Sequence, residues 1–144
     1  MARHIWTVLC GKSSTDSVTN NISLFEVIEQ LNIKRPAGQA GQTGLAAVSL
    51  ELISLWTRSQ LDVAERVTAR LVHCETDGSE IAHIEFEVNL SQKRRMRTIS
   101  KIEGLPIRQT GEQSFRVDLR TGETWERVAS LPVEVVISNT PEGA

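Results

Sequence analysis

Two alternating runs between Glu65 and Leu90 flank the dipeptide Asp77-Gly78, the pair that best satisfies the positive φ angles of a two-residue type I′ hairpin. With Asp77 and Gly78 as the loop, Thr76 faces Ser79, and directly opposed residues have numbers summing to 155. Three opposed pairs are then wholly apolar: Val67 with Val88, Ala69 with Phe86 and Leu71 with Ile84. The other face sets Arg70 against Glu85 and Thr68 against Glu87, as a solvated surface requires. Turn chemistry and long-range pattern agree, which is the mark of a natural hairpin.

A second hairpin is expected from Ser114 to Val128, because Phe115, Val117 and Leu119 alternate with Arg116, Asp118 and Arg120 before Thr121-Gly122-Glu123. A three-residue loop sets Leu119 against Trp125 and Phe115 against Ala129. Val133, Val135 and Ile137 after Pro132 read as a terminal strand. Met96 to Ile102 is a weaker strand, and the breakers Gly104, Pro106 and Gly111 exclude a long helix after it. Trp6 to Cys10 reads as a short strand, and the tail 139–144 as flexible.

Two segments fit either period. Leu24, Ile28 and Leu31 share a helical face behind a capping-box spacing at Ser23, yet Phe25, Val27, Leu31 and Ile33 also follow strand parity, interrupted by Glu29. Ala46, Val48, Leu50, Leu52 and Trp56 share one strand parity, while Leu45, Val48, Leu52 and Leu55 form a helical stripe. Six other strands need a cover for one face, and a second sheet supplies it, so both segments are read as strands. The expected fold is an all-β, antiparallel two-sheet sandwich; the alternative is an α+β domain with Ser23 to Leu31 helical. At 144 residues one domain spans the whole chain, 1–144. The breaker-rich stretch 35–44 is a surface loop within it.

Chemistry is sparse. The 40% apolar and 24% charged shares are ordinary for a globular chain, and no apolar run approaches the roughly 20 residues that span a bilayer. The N-terminus lacks the apolar core of a secretory signal, so a cytoplasmic location is expected. Cys10 and Cys74 are too few for a disulfide scaffold and read as buried small hydrophobes. His73 and His83 lie near each other across the first hairpin but on opposite faces, and there is no Cys-x-x-Cys or His-x-x-x-His spacing, so no metal is expected. There is no Gly-x-Ser-x-Gly elbow or P-loop, and Glu85 with Glu87 read as surface acids. Neither catalysis nor a cofactor is expected.

One uneven feature stands out. Lys93, Arg94, Arg95, Arg97 and Lys101 are five cations with no acid among them, in a chain whose net charge is −2. They are a candidate contact for a protein partner or an anion, because clustered arginines make bidentate bonds to phosphate and carboxylate. The plainer reading is an exposed edge strand, where Lys and Arg oppose aggregation, neutralised by the acids Glu75, Asp77, Glu80, Glu85 and Glu87.

The order Trp6 to Cys10, Ser23-Leu24-Phe25-Glu26-Val27-Ile28, the Asp77-Gly78 turn, Gly104-Leu105-Pro106, then Gly111, Phe115 and Val117, and finally Leu131-Pro132-Val133-Glu134-Val135 resembles a family of small uncharacterised bacterial β-sandwich proteins. The resemblance spans nearly the whole chain and implies an immunoglobulin-like domain without enzymatic activity or cofactor. A module that binds a partner protein or a second copy of itself is then the first functional expectation, since sheet edges capture added strands readily. Binding of nucleic acid or a phosphorylated ligand through residues 93–101 is the alternative.

Overall fold

Alternation of apolar residues across nine strands builds two packed sheets in the computed structural model, which describes residues 1–35, 44–107 and 109–139. The strands are β1 (Arg3–Thr15), β2 (Ile22–Val27), β3 (Gln30–Arg35), β4 (Gly44–Thr57), β5 (Glu65–Cys74), β6 (Glu80–Leu90), β7 (Arg95–Ile107), β8 (Gly111–Thr121) and β9 (Thr124–Asn139). One sheet has the order β2-β1-β4-β7 and the other β3-β9-β8-β5-β6; the second is strongly curled. Among the described residues there is no helix, and none long and apolar enough to cross a membrane. Residues 36–43 of the expected loop, and 140–144 of the expected tail, lie outside the described residues, and β9 itself continues to Asn139.

Both ambiguous segments are strands. The first is two strands rather than one, because the chain turns at Ile28 and Glu29 and sends β2 to one sheet and β3 to the other. β3 then runs parallel to β9, from Gln30 opposite Glu134 to Arg35 opposite Asn139, so the expected wholly antiparallel sandwich carries one parallel pair. The expected short strand at Trp6 to Cys10 is a thirteen-residue β1. β7 likewise runs on through Gly104 and Pro106, which an edge strand tolerates because the proline needs no partner on its open side.

The first hairpin holds its register by two departures that cancel. Gly78 is left-handed at φ 87° but Asp77 is not, and Gly78 N donates to Glu75 O while Glu75 N donates to Ser79 O. The loop is therefore the three residues Thr76 to Gly78, not the two-residue type I′ turn, and Cys74 faces Glu80. A bulge at Ile81 adds one residue, so His73 meets Ala82 and the expected pairs Val67–Val88, Ala69–Phe86 and Leu71–Ile84 all form. The second hairpin departs in the opposite sense. Thr121 pairs with Thr124 around Gly122-Glu123, with Gly122 at φ 65°, so the loop has two residues rather than three. Leu119 consequently faces Glu126, and after a bulge at Val128 Phe115 faces Leu131.

Between the sheets lies one apolar cluster that includes Leu9, Leu52, Trp56, Val88, Phe115 and Val133. Trp56 is fully buried, donates from Nε1 to Thr98 Oγ1 at 2.9 Å, and meets the rings of His4 and Phe86 edge-on. At one end the core turns polar. His73 lies flat on Phe115, with centroids 4.7 Å apart, and its Nε2 stands 2.6 Å from Gln113 Oε1, while Gln113 Nε2 donates to Glu75 Oε1 at 3.0 Å. The amide must point its NH2 at the carboxylate, so its carbonyl accepts from His73 Nε2–H. Cys10 and Cys74 are buried free thiols, as expected, and burial, aided by Glu51, pushes the Cys10 thiol up.

Burial holds His73 below the ordinary histidine value of 6.5, against the opposing pull of Gln113 and Glu75, and burial lowers His4 in the same way. The unfolded chain thus takes up these protons first, and the stability present above pH 6.5 is lost as pH falls from there through the folded values. Urea midpoints measured from pH 8 to pH 5 should fall below about pH 6.5, and His73→Phe should flatten that slope even where it lowers stability overall.

Candidate functional site

The charged run at 93–101 straddles the β6–β7 turn and the outward face of β7. Met96, Thr98 and Ile102 point inward, so Arg95, Arg97, Ile99 and Lys101 point out, next to Leu55, Ile53 and Glu51 of β4. β7 is an edge strand, as the plainer reading anticipated.

Arg58 builds the platform below it. Its Nε donates to Leu90 O at 2.8 Å, its Nη1 to Leu61 O at 2.9 Å and its Nη2 to Ser91 O at 3.1 Å. Its backbone N, and Thr57 Oγ1, both donate to Arg94 O at 3.0 Å. One guanidinium therefore ties the β4–β5 turn to the β6–β7 turn with charge-assisted bonds, each worth about 1.5–3 kcal/mol when desolvated.

The β1–β2 hairpin supplies a roof. Trp6 pairs with Leu55, and Leu55 with Arg97, so these three are level across the sheet. An arm continuing straight from Trp6 to Thr15 would end about 30 Å further on. Instead Arg97 Nη2 donates to Asn20 O at 2.8 Å, and Ser13 Oγ bonds the Glu51 carboxylate. The arm doubles back across the outer face of its own sheet. This is why Ile53 is fully buried though it points away from the core cluster. The arm leaves β4 after Cys10, the last residue of β1 paired with it; at the next position, Gly11, a Cβ would stand 3.0 Å from Glu26 Oε2, and Glu26 itself takes the left-handed φ of 56°.

Beneath the arm lies a concavity of about 600 Å³. Lys93, Arg95 and Arg97 line it together with the polar side chains of Thr15, Asn20, Asn89, Ser91 and Gln92, and its apolar wall is Leu55, Met96 and Ile99. No acidic residue is among these lining residues. Three cations thus meet hydrogen-bonding groups beside an apolar surface, an arrangement that suits an anionic group on an organic body.

The structure splits the sequence's candidate. It gathers Lys93, Arg95 and Arg97 and separates the other two. Arg94 turns to Asp62, with Nη2 2.7 Å from Oδ1, and Lys101 lines a different cleft between β6 and β7. The acid that meets Arg94 is thus Asp62, outside the hairpin expected to neutralise the run. Arg58 and Asn20 were not singled out from sequence; a lone arginine after a strand and an asparagine in a polar turn carry no signal until the fold brings them close. His73 pairs with Ala82 and His83 with Val72, both histidines line the cleft between β6 and β7, and His83 is paired with Glu80 at 2.7 Å.

No family model matches this chain, and no curated protein matches it.

Arg58→Ala should release both turns. Hydrogen exchange at residues 58–64 and 90–94 should accelerate at least tenfold, with a stability loss of about 2–4 kcal/mol from three backbone carbonyls left without their donor.

Proposed function

We propose that the protein is a non-enzymatic binding module that takes a phosphate-bearing ligand in the concavity under the β1–β2 arm. The observation that carries this reading is the convergence of Lys93, Arg95 and Arg97 on one recess lined by no acid. A cavity of about 600 Å³ matches a ligand of mononucleotide size. Opposed to the overall charge of −2, such a local patch concentrates anions only at short range.

An immunoglobulin-like architecture is part of the proposal. Support comes from the connections: β4 to β5, β6 to β7 and β7 to β8 each cross between sheets, while β9-β8-β5-β6 and β4-β7 are neighbours as the later and middle strands of such a sandwich would be. In this frame the ligand recess sits on the outer face of one sheet, beside turns that loop variation can change without disturbing the core.

Adenosine 5′-monophosphate should bind with an affinity that falls steeply between 50 and 300 mM salt, and adenosine should bind at least tenfold more weakly. Replacing Lys93, Arg95 and Arg97 by Ala should weaken the nucleotide at least tenfold, whereas Arg94→Ala and Lys101→Ala should leave it unchanged. A mixed-sequence oligonucleotide run in parallel separates a phosphate recess from a nucleic-acid surface. If neither phosphate probe binds, or if the triple variant binds as well as the parent, the reading fails.

A second reading has its own observation. Phe25 and Val27 stand 52% and 55% exposed on β2, a free edge strand. Such an edge is suited to pairing with a second copy of the chain. Light scattering on the purified protein should then report a dimer, converted to monomer by Phe25→Lys with Val27→Lys; a monomeric parent protein would exclude it.

A further inference from the structure

Strands β6 and β7 each end a sheet, and they do so on the same side of the sandwich. β6 runs into the turn at 91–94 and β7 runs out of it, so the two edges are antiparallel neighbours in opposite sheets. Between them lies a cleft of about 330 Å³, bordered by residues 82–84 of β6 and 101–106 of β7. Side chains alternate between the faces of a strand, so consecutive lining residues mean that the strand edges themselves border the opening. Such edges are ready to accept another strand.

The backbone groups on both edges follow from the hydrogen-bond alternation of antiparallel pairs. Arg58 N donates to Arg94 O in the β4–β7 register, so the even-numbered residues of β7 up to Ile102 bond β4. The odd-numbered ones, Arg95 to Glu103, turn their N–H and C=O to the open edge. On β6 the alternation starts from Glu75 N on Ser79 O; past the bulge, Ala82, Ile84 and Phe86 bond β5, while His83, Glu85 and Glu87 face the open edge.

The same residues carry the charge. Glu85 and Glu87 make the β6 edge acidic, whereas Arg95, Arg97 and Lys101 outnumber Glu103 on β7. Among the described residues neither Glu85 nor Lys101 has an ion-pair partner in its own chain; Arg70, opposite Glu85, is spent on Asp118 at 2.9 Å.

We propose that this side of the sandwich pairs with a second copy of the chain about a two-fold axis parallel to the strands, β6 of each copy adding antiparallel to β7 of the other. Charge selects this arrangement. An axis perpendicular to the sheets would set β6 on β6 and β7 on β7, acid against acid and cation against cation. An axis along the strands also keeps every residue at its own level, and residues 82–84 and 101–106 are already level across the cleft. With odd-numbered residues meeting odd-numbered ones, opposed numbers then sum to 186. Glu85 faces Lys101 of the second copy, His83 faces Glu103, and Ile84, 52% exposed in the single chain, is covered beside Ile102. Because the interface is closed by the two-fold, each pair forms twice.

Neither Glu85 nor Lys101 lines the basic recess, so the test is independent of the phosphate reading. Sedimentation equilibrium of the full chain should report a dimer, and Phe25→Lys with Val27→Lys should leave it intact, which separates this face from the β2 edge. Glu85→Lys and Lys101→Glu, both at exposed positions, should each weaken the dimer at least tenfold, since an attraction becomes a repulsion at two places. An equal mixture of the two variants should recover the parent affinity, because in the mixed dimer both cross-copy pairs again join opposite charges. A monomeric parent protein, a dimer dissolved by the β2 substitutions, single variants that dimerise like the parent, or a mixture that stays monomeric would overturn the proposal.

Discussion

The sandwich depends on one buried ring. Trp56 extends from the C-terminal end of β4 between the sheets, touching His4 of β1 and Phe86 of β6 and bonding to Thr98 of β7. It thereby joins three strands of one sheet to the edge strand of the other. A large aromatic of this kind contributes area that smaller residues cannot supply, and its single polar atom is satisfied within its own sheet. The alternation of inward and outward residues on β4 and β7 follows from it, and so does the outward direction of Arg95 and Arg97.

The register of the first hairpin was legible from sequence because one face of each strand must be apolar, whereas that of the second was not. Val67, Ala69 and Leu71 find apolar partners in Val88, Phe86 and Ile84 when the numbers sum to 155, and the observed pairing agrees. Loop length was less legible. The turn at Thr76 to Gly78 is one residue longer than expected and the bulge at Ile81 restores the phase, whereas at Gly122-Glu123 the loop is one residue shorter and the bulge falls at Val128. Register follows from loop length and bulge together, and the two shifts cancel in the first hairpin but add in the second, where Phe115 faces Leu131 instead of Ala129.

The functional surface was legible only as composition. Five cations in nine positions marked the region, but neighbours along a strand alternate between faces and a turn redirects the rest. Arg95 and Arg97 share the outer face, Lys93 joins them from the turn, Arg94 meets Asp62, and Lys101 reaches the cleft between β6 and β7. The recess also needs Asn20, more than seventy positions away, which arrives only because the β1–β2 arm doubles back across its own sheet.

What the sequence determined by itself is the strand character of the segments outside the two ambiguous ones and the existence of the two hairpins, since each follows from a period of two and from turn chemistry within a few positions. Only the tertiary structure decided that β2 and β3 part company, that β3 lies parallel to β9, that an arm roofs the basic recess and that His73 is buried against Phe115 with its Nε2 on Gln113. These depend on which surfaces meet after the strands have formed. Contacts between residues far apart in the chain are selected by the shape and polarity of whole sheets, and no local pattern carries that information.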